Sequence, residues 1–308
     1  MKKFKIFFFG IFISILFFSN SLAFENKILF KVNNEIITSM DVLTEIRYLG
    51  IINEDFKKTT KKQAFEIAKR SLIKEKIKLI ELTKVLKKIE VEDNFLNDLL
   101  INYFSSINIK TISEFENYFI LQDIDPNLIK KKISIEIQWN RYIYTKFNQN
   151  VKIDKKSIQD EISKNVKNKE YLLQEILFNL NGNEKLDDKY LLLEKEIKSI
   201  GFSQAAFSYS LSSSANKGGK LGWVSELILS PKIKEMIKKI KIGEYTKPIV
   251  LPGGFLILKL EDIREVNNDF NLDDEINRII KEKTNEQLNQ FSNIYFNKIK
   301  KNTEINEL

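Results

Sequence analysis

Neither cysteine nor histidine occurs anywhere in the 308 residues. The first absence excludes a disulfide framework, a thiol nucleophile and a thiolate metal site. The second removes the usual general base, the commonest metal ligand and the near-neutral proton switch. Ser-His-Asp hydrolysis and histidine-held zinc are therefore excluded, and neither a metal nor a cofactor is expected. Proline is down to four residues and glycine to ten, which leaves long stretches open to uninterrupted helix. The apolar run Ile6–Phe18 is too short to cross a bilayer, which needs roughly 20 residues.

What is present is ample material for a packed core, 43% hydrophobic and 30% charged. The formal net charge is +8. Lysines alternate with acids in segments such as EIAKRSLIKEKIKLIE (66–81), a pattern of solvated helix faces and not of a nucleic-acid footprint, so no nucleic-acid partner is expected. Lys2, Lys3 and Lys5 precede the apolar run, and Ser21-Leu22-Ala23 closes it with small residues. Residues 1–23 thus read as a cleavable secretory signal, with a mature chain from Phe24 that lies outside the cytoplasm and is not inserted in a membrane.

From about residue 27 to 160 the pattern is helical after one short extended start. In KILFKVNNEIITSMDVLTEI an alternating run turns at Asn33-Asn34, and Thr38 or Ser39 is placed to cap a helix, with Asp41 three residues after Thr38. Apolar spacing predicts a long helix over 62–88 and shorter ones at 93–106, 111–121 and 127–148, the last opening behind Asp125-Pro126.

Composition then changes. Seven of the ten glycines and three of the four prolines fall between Gly201 and Gly254, which implies short elements joined by tight turns. Strands are expected at 171–178, 246–251 and 254–262, and helices at 187–200, 203–209 and 231–240. The lysine-rich KEMIKKIKIG (234–243) is expected to pack on this module's sheet and not on anionic lipid. A final helix over 270–300, with Asn271 and Asp274 at its start and Ile276, Ile279, Ile280, Leu288, Phe291, Ile294 and Ile299 as its stripe, is expected to pack back on the N-terminal helices.

NKGGKLGWVSEL (216–227), followed by SPKIKEMIKKIKIGEYTKPIVLPGGFLILKLEDIRE, resembles the parvulin-type (PpiC, rotamase) peptidyl-prolyl isomerase domain in the order, spacing and several identities of its motifs. The flanks VNNEIITSMDV, SLIKEKIKLIELTKVLKKIEV and LDDEINRIIKEKTNEQLNQFSNIYFNKIKK resemble the SurA family of periplasmic chaperones. The resemblance implies an α+β protein in which a mainly helical chaperone body carries an inserted parvulin domain, a small antiparallel sheet flanked by helices. It divides the chain into 1–23, 24–168, 169–266 and 267–308.

Parvulins place histidines in the first and last strands of that sheet. Here those positions fall on Glu175 and Leu256. The central polar position falls on Ser212, the proline-contacting apolar positions on Leu229 and Ile233, and Trp223 is assigned to the groove beside them. Glu175 reads either as a carboxylic acid made neutral by burial or as an ordinary strand-face carboxylate, and Ser212 either as a participant or as one residue of a polar loop. The expectation is a periplasmic chaperone for unfolded or extended polypeptides, outer-membrane protein precursors among them, with weak or lost isomerase activity. The alternative is an active isomerase that works without histidine.

Overall fold

The computed structural model describes residues 26–164, 167–180, 182–267 and 272–308. The signal segment 1–23 and the Asn271 cap lie outside these residues. Strands β1 (Ile28–Val32) and β2 (Glu35–Thr38) form a hairpin around Asn33, whose φ of 48° is one that Asn accepts readily. Thr38 then caps helix α1 (Ser39–Ile52): its Oγ1 accepts from Asp41 N at 3.2 Å, and Asp41 Oδ2 accepts from Thr38 N at 2.8 Å.

Helix α2 (Lys61–Thr83) has the same reciprocal cap between Thr60 and Gln63. It ends five residues before the expected 88, where the chain turns at Lys84 and brings Leu86 and Ile89 back onto the core. Helices α3 (Asp93–Phe104), α4 (Ile112–Leu121), α5 (Pro126–Phe147) and α6 (Lys155–Lys164) follow. Pro126 occupies the first helical turn behind the Asp125 cap, where its missing N–H costs nothing. Phe104, Phe115 and Phe119 pack ring against ring in the middle of this body, with centroids 4.9–5.5 Å apart.

The second part is a four-stranded antiparallel sheet in the order β4-β3-β6-β5. Its strands are β3 (Lys167–Phe178), β4 (Lys220–Ser225), β5 (Ile249–Leu251) and β6 (Gly254–Asn267). Helices α7 (Leu186–Ile200) and α8 (Phe202–Tyr209) cover one face, packing on Ile176, Phe178 and Ile257. Helix α9 (Pro231–Ile237) covers the other, where Ile233 and Ile237 meet Leu173, Leu177 and Leu258. β4 is not among the expected strands, because its Leu-Gly-Trp core lacks clean alternation. The strand expected over 246–251 shortens to β5 because Pro248 has no N–H to give to the ladder; Thr246 holds the approach instead, through N to Leu258 O at 2.8 Å.

Helix α10 (Leu272–Lys301) touches both parts. Its first half packs Ile279 on Ile158, Ile162 and Leu227. Its second half joins α5: Trp139 Nε1 donates to Ser292 Oγ at 2.8 Å, and Phe147 stacks on Phe291 at 5.4 Å. Here the expected stripe needs correction. Phe296 is buried, whereas Ile294 is 40% exposed, since two positions along a helix are about 200° apart and both cannot face the same core. Strand β7 (Ile305–Glu307), unforeseen in three residues without periodicity, adds to β1 and closes the first sheet as β2-β1-β7.

Candidate functional site

The glycine-rich segment places two serines over β3. Ser212 opens a single turn of 3-10 helix at Ser213–Lys217, its Oγ accepting from Ser214 N at 3.3 Å. The loop then presses onto β3 at Gly219, whose carbonyl accepts from Glu175 N at 2.8 Å. Gly219 has φ +77°, and a Cβ there would stand 2.3 Å from the Glu175 carbonyl oxygen and 3.0 Å from Ala206 Cβ. Only glycine allows this approach.

As a result the hydroxyls of Ser212 and Ser214 both donate to Glu175 Oε1, the latter at 2.8 Å, and lie 3.2 Å from each other. Burial pushes the Glu175 carboxyl above its usual range, and the two serine hydrogen bonds only partly offset this. Such a carboxyl retains its proton to higher pH and can donate a hydrogen bond where an ordinary glutamate only accepts.

Glu175 shares its sheet face with Leu173 and Leu177. Across the ladder Leu258 stands opposite Glu175 and Leu256 opposite Leu177. Leu229, Ile233 and Leu256 are all buried in one apolar cluster on this face. The structure therefore brings Ser212, Glu175, Leu229, Ile233 and Leu256 to one side of the sheet. Trp223 is not with them. It pairs with Leu172 and so points to the opposite face, under the Arg264 guanidinium 4.2 Å from its ring.

Groups from two helices outside the sheet approach this cluster. Lys74 of α2 reaches the Leu211 and Ser212 carbonyls. Glu286 of α10 lies close enough to Glu175 for the two carboxyls to repel, and burial together with this repulsion raises the Glu286 pKa against the opposing pull of Lys283. Lys283 Nζ in turn donates to Ile228 O at 3.4 Å, next to Leu229.

Ser214, Lys74 and Glu286 are the members that the sequence reading did not single out. Ser214 had a signal, two positions from Ser212 in a run of three serines. Lys74 and Glu286 had none, because each reaches the site from a helix distant in sequence.

Among the described residues no three His, Cys, Asp or Glu side chains gather as metal ligands, and no helix is long and apolar enough to cross a membrane. Of the aromatic residues in the helical body, Phe104, Phe115, Phe119 and Trp139 are core, while Tyr103 and Tyr144 reach the surface.

Comparison with known proteins places this geometry. Residues 175–262 match the family described as "Rotamase: PPIC-type PPIASE domain". The chain is similar to Chaperone SurA of Pseudomonas putida, 31% identical over 121 residues, covering 36% of this chain and 27% of that protein. It is similar also to Chaperone SurA of Methylococcus capsulatus, 27% identical over 190 residues, covering 58% of this chain and 42% of that protein. The chain thus spans less than half the length of these curated relatives. Among solved structures, a SurA-like chaperone of Campylobacter jejuni aligns over 92% of this chain and 99% of its own, at 17% identity and a TM-score of 0.37. On the sequence matches the chain is SurA-like and carries a PPIC-type parvulin domain.

Proposed function

We propose that the protein is an exported folding chaperone of the periplasm that holds unfolded or extended polypeptides, outer-membrane protein precursors among them, and that its parvulin module isomerises prolyl bonds weakly. The weak activity is read from the motif resemblance, which puts Glu175 and Leu256 where parvulins carry histidines, and is supported by one observation: the carboxyl at the first of these positions is taken up by Ser212 and Ser214, whose loop Lys74 ties to the helical body. Similarity to the SurA chaperones supports the holding activity, as do the apolar side chains that the helical body leaves in solvent. Ile120, Leu121 and Leu128 are all exposed along the segment that joins α4 to α5, with Asp123 and Asp125 between them in sequence, and exposed apolar side chains interspersed with charge suit chains that have no fixed shape. The division at 24–168, 169–266 and 267–308, with 1–23 removed on export, belongs to the same proposal, which needs no metal, cofactor or nucleic acid.

Two assays test it. On a proline-containing tetrapeptide the mature protein should have kcat/KM at least about tenfold below that of a histidine-bearing parvulin, and comparable rates would overturn the weak-isomerase half. In light scattering, a denatured outer-membrane protein diluted into an equimolar amount of the protein should stay soluble; unchanged aggregation would overturn the other half.

A second reading is favoured by the meeting of Ser212 and Glu175. A glutamic acid that keeps its proton can donate to the substrate amide as it loses double-bond character, which makes the module an active isomerase. In that case Glu175→Gln abolishes turnover in the same assay, whereas on the first reading it changes little.

A further inference from the structure

One face of the last turns of α10 lines a cavity and not a core. Ile294, Asn297, Lys298 and Lys301 recur at i, i+3, i+4 and i+7, so they form a single stripe. Facing them is the turn between β5 and β6, and between the two lies a cavity of about 520 Å³. Its floor is apolar: Val250, Leu251, Pro252 and Phe255 from the turn, with Ile294 from the helix. Val250 is 56% exposed and Ile294 is 40% exposed, so part of this apolar lining faces solvent.

The polar groups divide into two sets. Asn179, with its amide oriented to satisfy its neighbours, donates to the Phe178 and Gly253 carbonyls and accepts from Asn297 Nδ2 at 2.8 Å, which ties the turn to α10 within the cavity wall. Lys298 and Lys301 stand at its rim, and no carboxylate is among the lining residues. Beyond the rim, β5 is an edge strand whose Val250 carbonyl accepts from Lys232 Nζ at 3.3 Å. A lysine in that place discourages the addition of a further strand.

We propose that this cavity captures the carboxyl-terminal end of an extended apolar polypeptide, its last side chain against Val250, Phe255 and Ile294 and its terminal carboxylate between Lys298 and Lys301. The inference rests on the chaperone reading above, whose clients are such chains. A chain end fits better than a passing strand, because Lys232 occupies the edge of β5 on which a strand would add. A carboxylate fits better than a larger anion, because the cations border an apolar floor that a terminal residue fills with its own side chain. Lysines in the last turn of a helix also offset the helix dipole, so the test compares ligands as well as variants.

The experiment uses the mature full-length protein and a fluorescent apolar, aromatic-containing peptide, prepared with a free carboxyl terminus and as its terminal amide. Binding is followed by anisotropy. The free acid should bind roughly tenfold more tightly than the amide, as a charge-assisted contact of this kind provides. The K298E/K301E double variant should bind both forms with the affinity of the amide, and K298Q/K301Q serves if the charge reversal does not fold. Ile294→Asp should weaken both forms. Equal affinities for acid and amide, no binding of either, or undiminished discrimination in the lysine variants would overturn the proposal. If the light-scattering activity persists in any of these cases, only this site falls; if that activity is itself absent, the chaperone reading falls with it.

Discussion

Lys74 Nζ donates to two backbone carbonyls of the glycine-rich loop, Leu211 at 3.3 Å and Ser212 at 3.5 Å. This ties the helical body to the loop that carries the serines of the candidate site. The Phe296 ring of α10 lies 5.9 Å from the same ammonium, so three elements meet there. Arg70, one helical turn earlier, repeats the device with the Phe207 carbonyl at 3.3 Å.

The pH dependence of docking follows from this arrangement. Burial, reinforced by repulsion from Lys78 and Lys300 and partly offset by Glu136, pulls the Lys74 pKa down to about 8. A lysine whose folded pKa is depressed binds fewer protons in the native state than in the unfolded one between pH 8 and its free value of 10.5. Stability therefore rises with pH across that window, and below it the full cost of burying the charge, roughly 3 kcal/mol, is present. Lys74→Met removes this titration. Differential scanning calorimetry should show a smaller rise in Tm from about pH 7 to about pH 9.5 for the variant than for the parent; identical slopes would count against the assignment.

Glu175 titrates with the opposite sign. Its folded pKa is raised, so its contribution is complete below the free carboxyl range and is lost as pH rises through the folded value. Glu175→Gln retains an acceptor for the serines and carries no charge. It should leave stability at neutral pH equal or higher and flatten the pH dependence in the acid range. Glu175→Ala leaves the Ser212 and Ser214 hydroxyls without their acceptor and should cost roughly 1–3 kcal/mol. Chemical denaturation of the two variants at neutral pH distinguishes these outcomes, and equal losses from both would contradict the burial argument.

Gly219 is the hinge of the site. Alanine there brings a methyl group against the backbone of β3 at a positive φ, and neither partner can yield without breaking the Glu175 N to Gly219 O bond. Gly219→Ala should cost about 3 kcal/mol or more and separate Ser212 from Glu175. In addition to lower stability, the Glu175 carboxyl should titrate nearer its ordinary range by NMR, since the burial that raises it is relieved and outweighs the loss of the serine bonds that partly offset it.

The helices announced themselves through local chemistry. The Thr38–Asp41 box, Pro126 behind Asp125 and the stop at Gly201 each act within a few residues, so the sequence contains the whole interaction. Glu175 and Ser212 were both legible as candidates for the same reason, through motifs on either side of them. Their contact was not, because it depends on Gly219 folding the loop across 37 residues onto β3. Trp223 shows the limit most clearly. The pairing register of β4 with β3 decides its face, and that register carries an irregularity next to Leu173 and Gln174 that no periodicity in KLGWVS reveals. Ile294 failed for a related reason: a stripe lists apolar positions, and only the partner's shape shows which of them face it.

The last prediction concerns how far the two parts behave as one. Trp139 is 1% exposed, stacked on Tyr295 at 6.1 Å and bonded through Nε1 to Ser292. Its ring therefore anchors the second half of α10, while the first half rests on Leu227 next to the parvulin sheet. A helix held at both ends passes a disturbance at one end to the other, because releasing the Ser292–Phe296 turn leaves Ile279 and its neighbours to hold α10 alone. Trp139→Ala opens a large cavity at that anchor and should cost about 3–5 kcal/mol. If α10 couples the parts, the parent unfolds in guanidinium in one transition and the variant in two. The new early transition should coincide with proteolytic cleavage within α10. A single transition shifted to lower denaturant, with α10 still protected, would mean that Trp139 stabilises the helical body without linking it to the module.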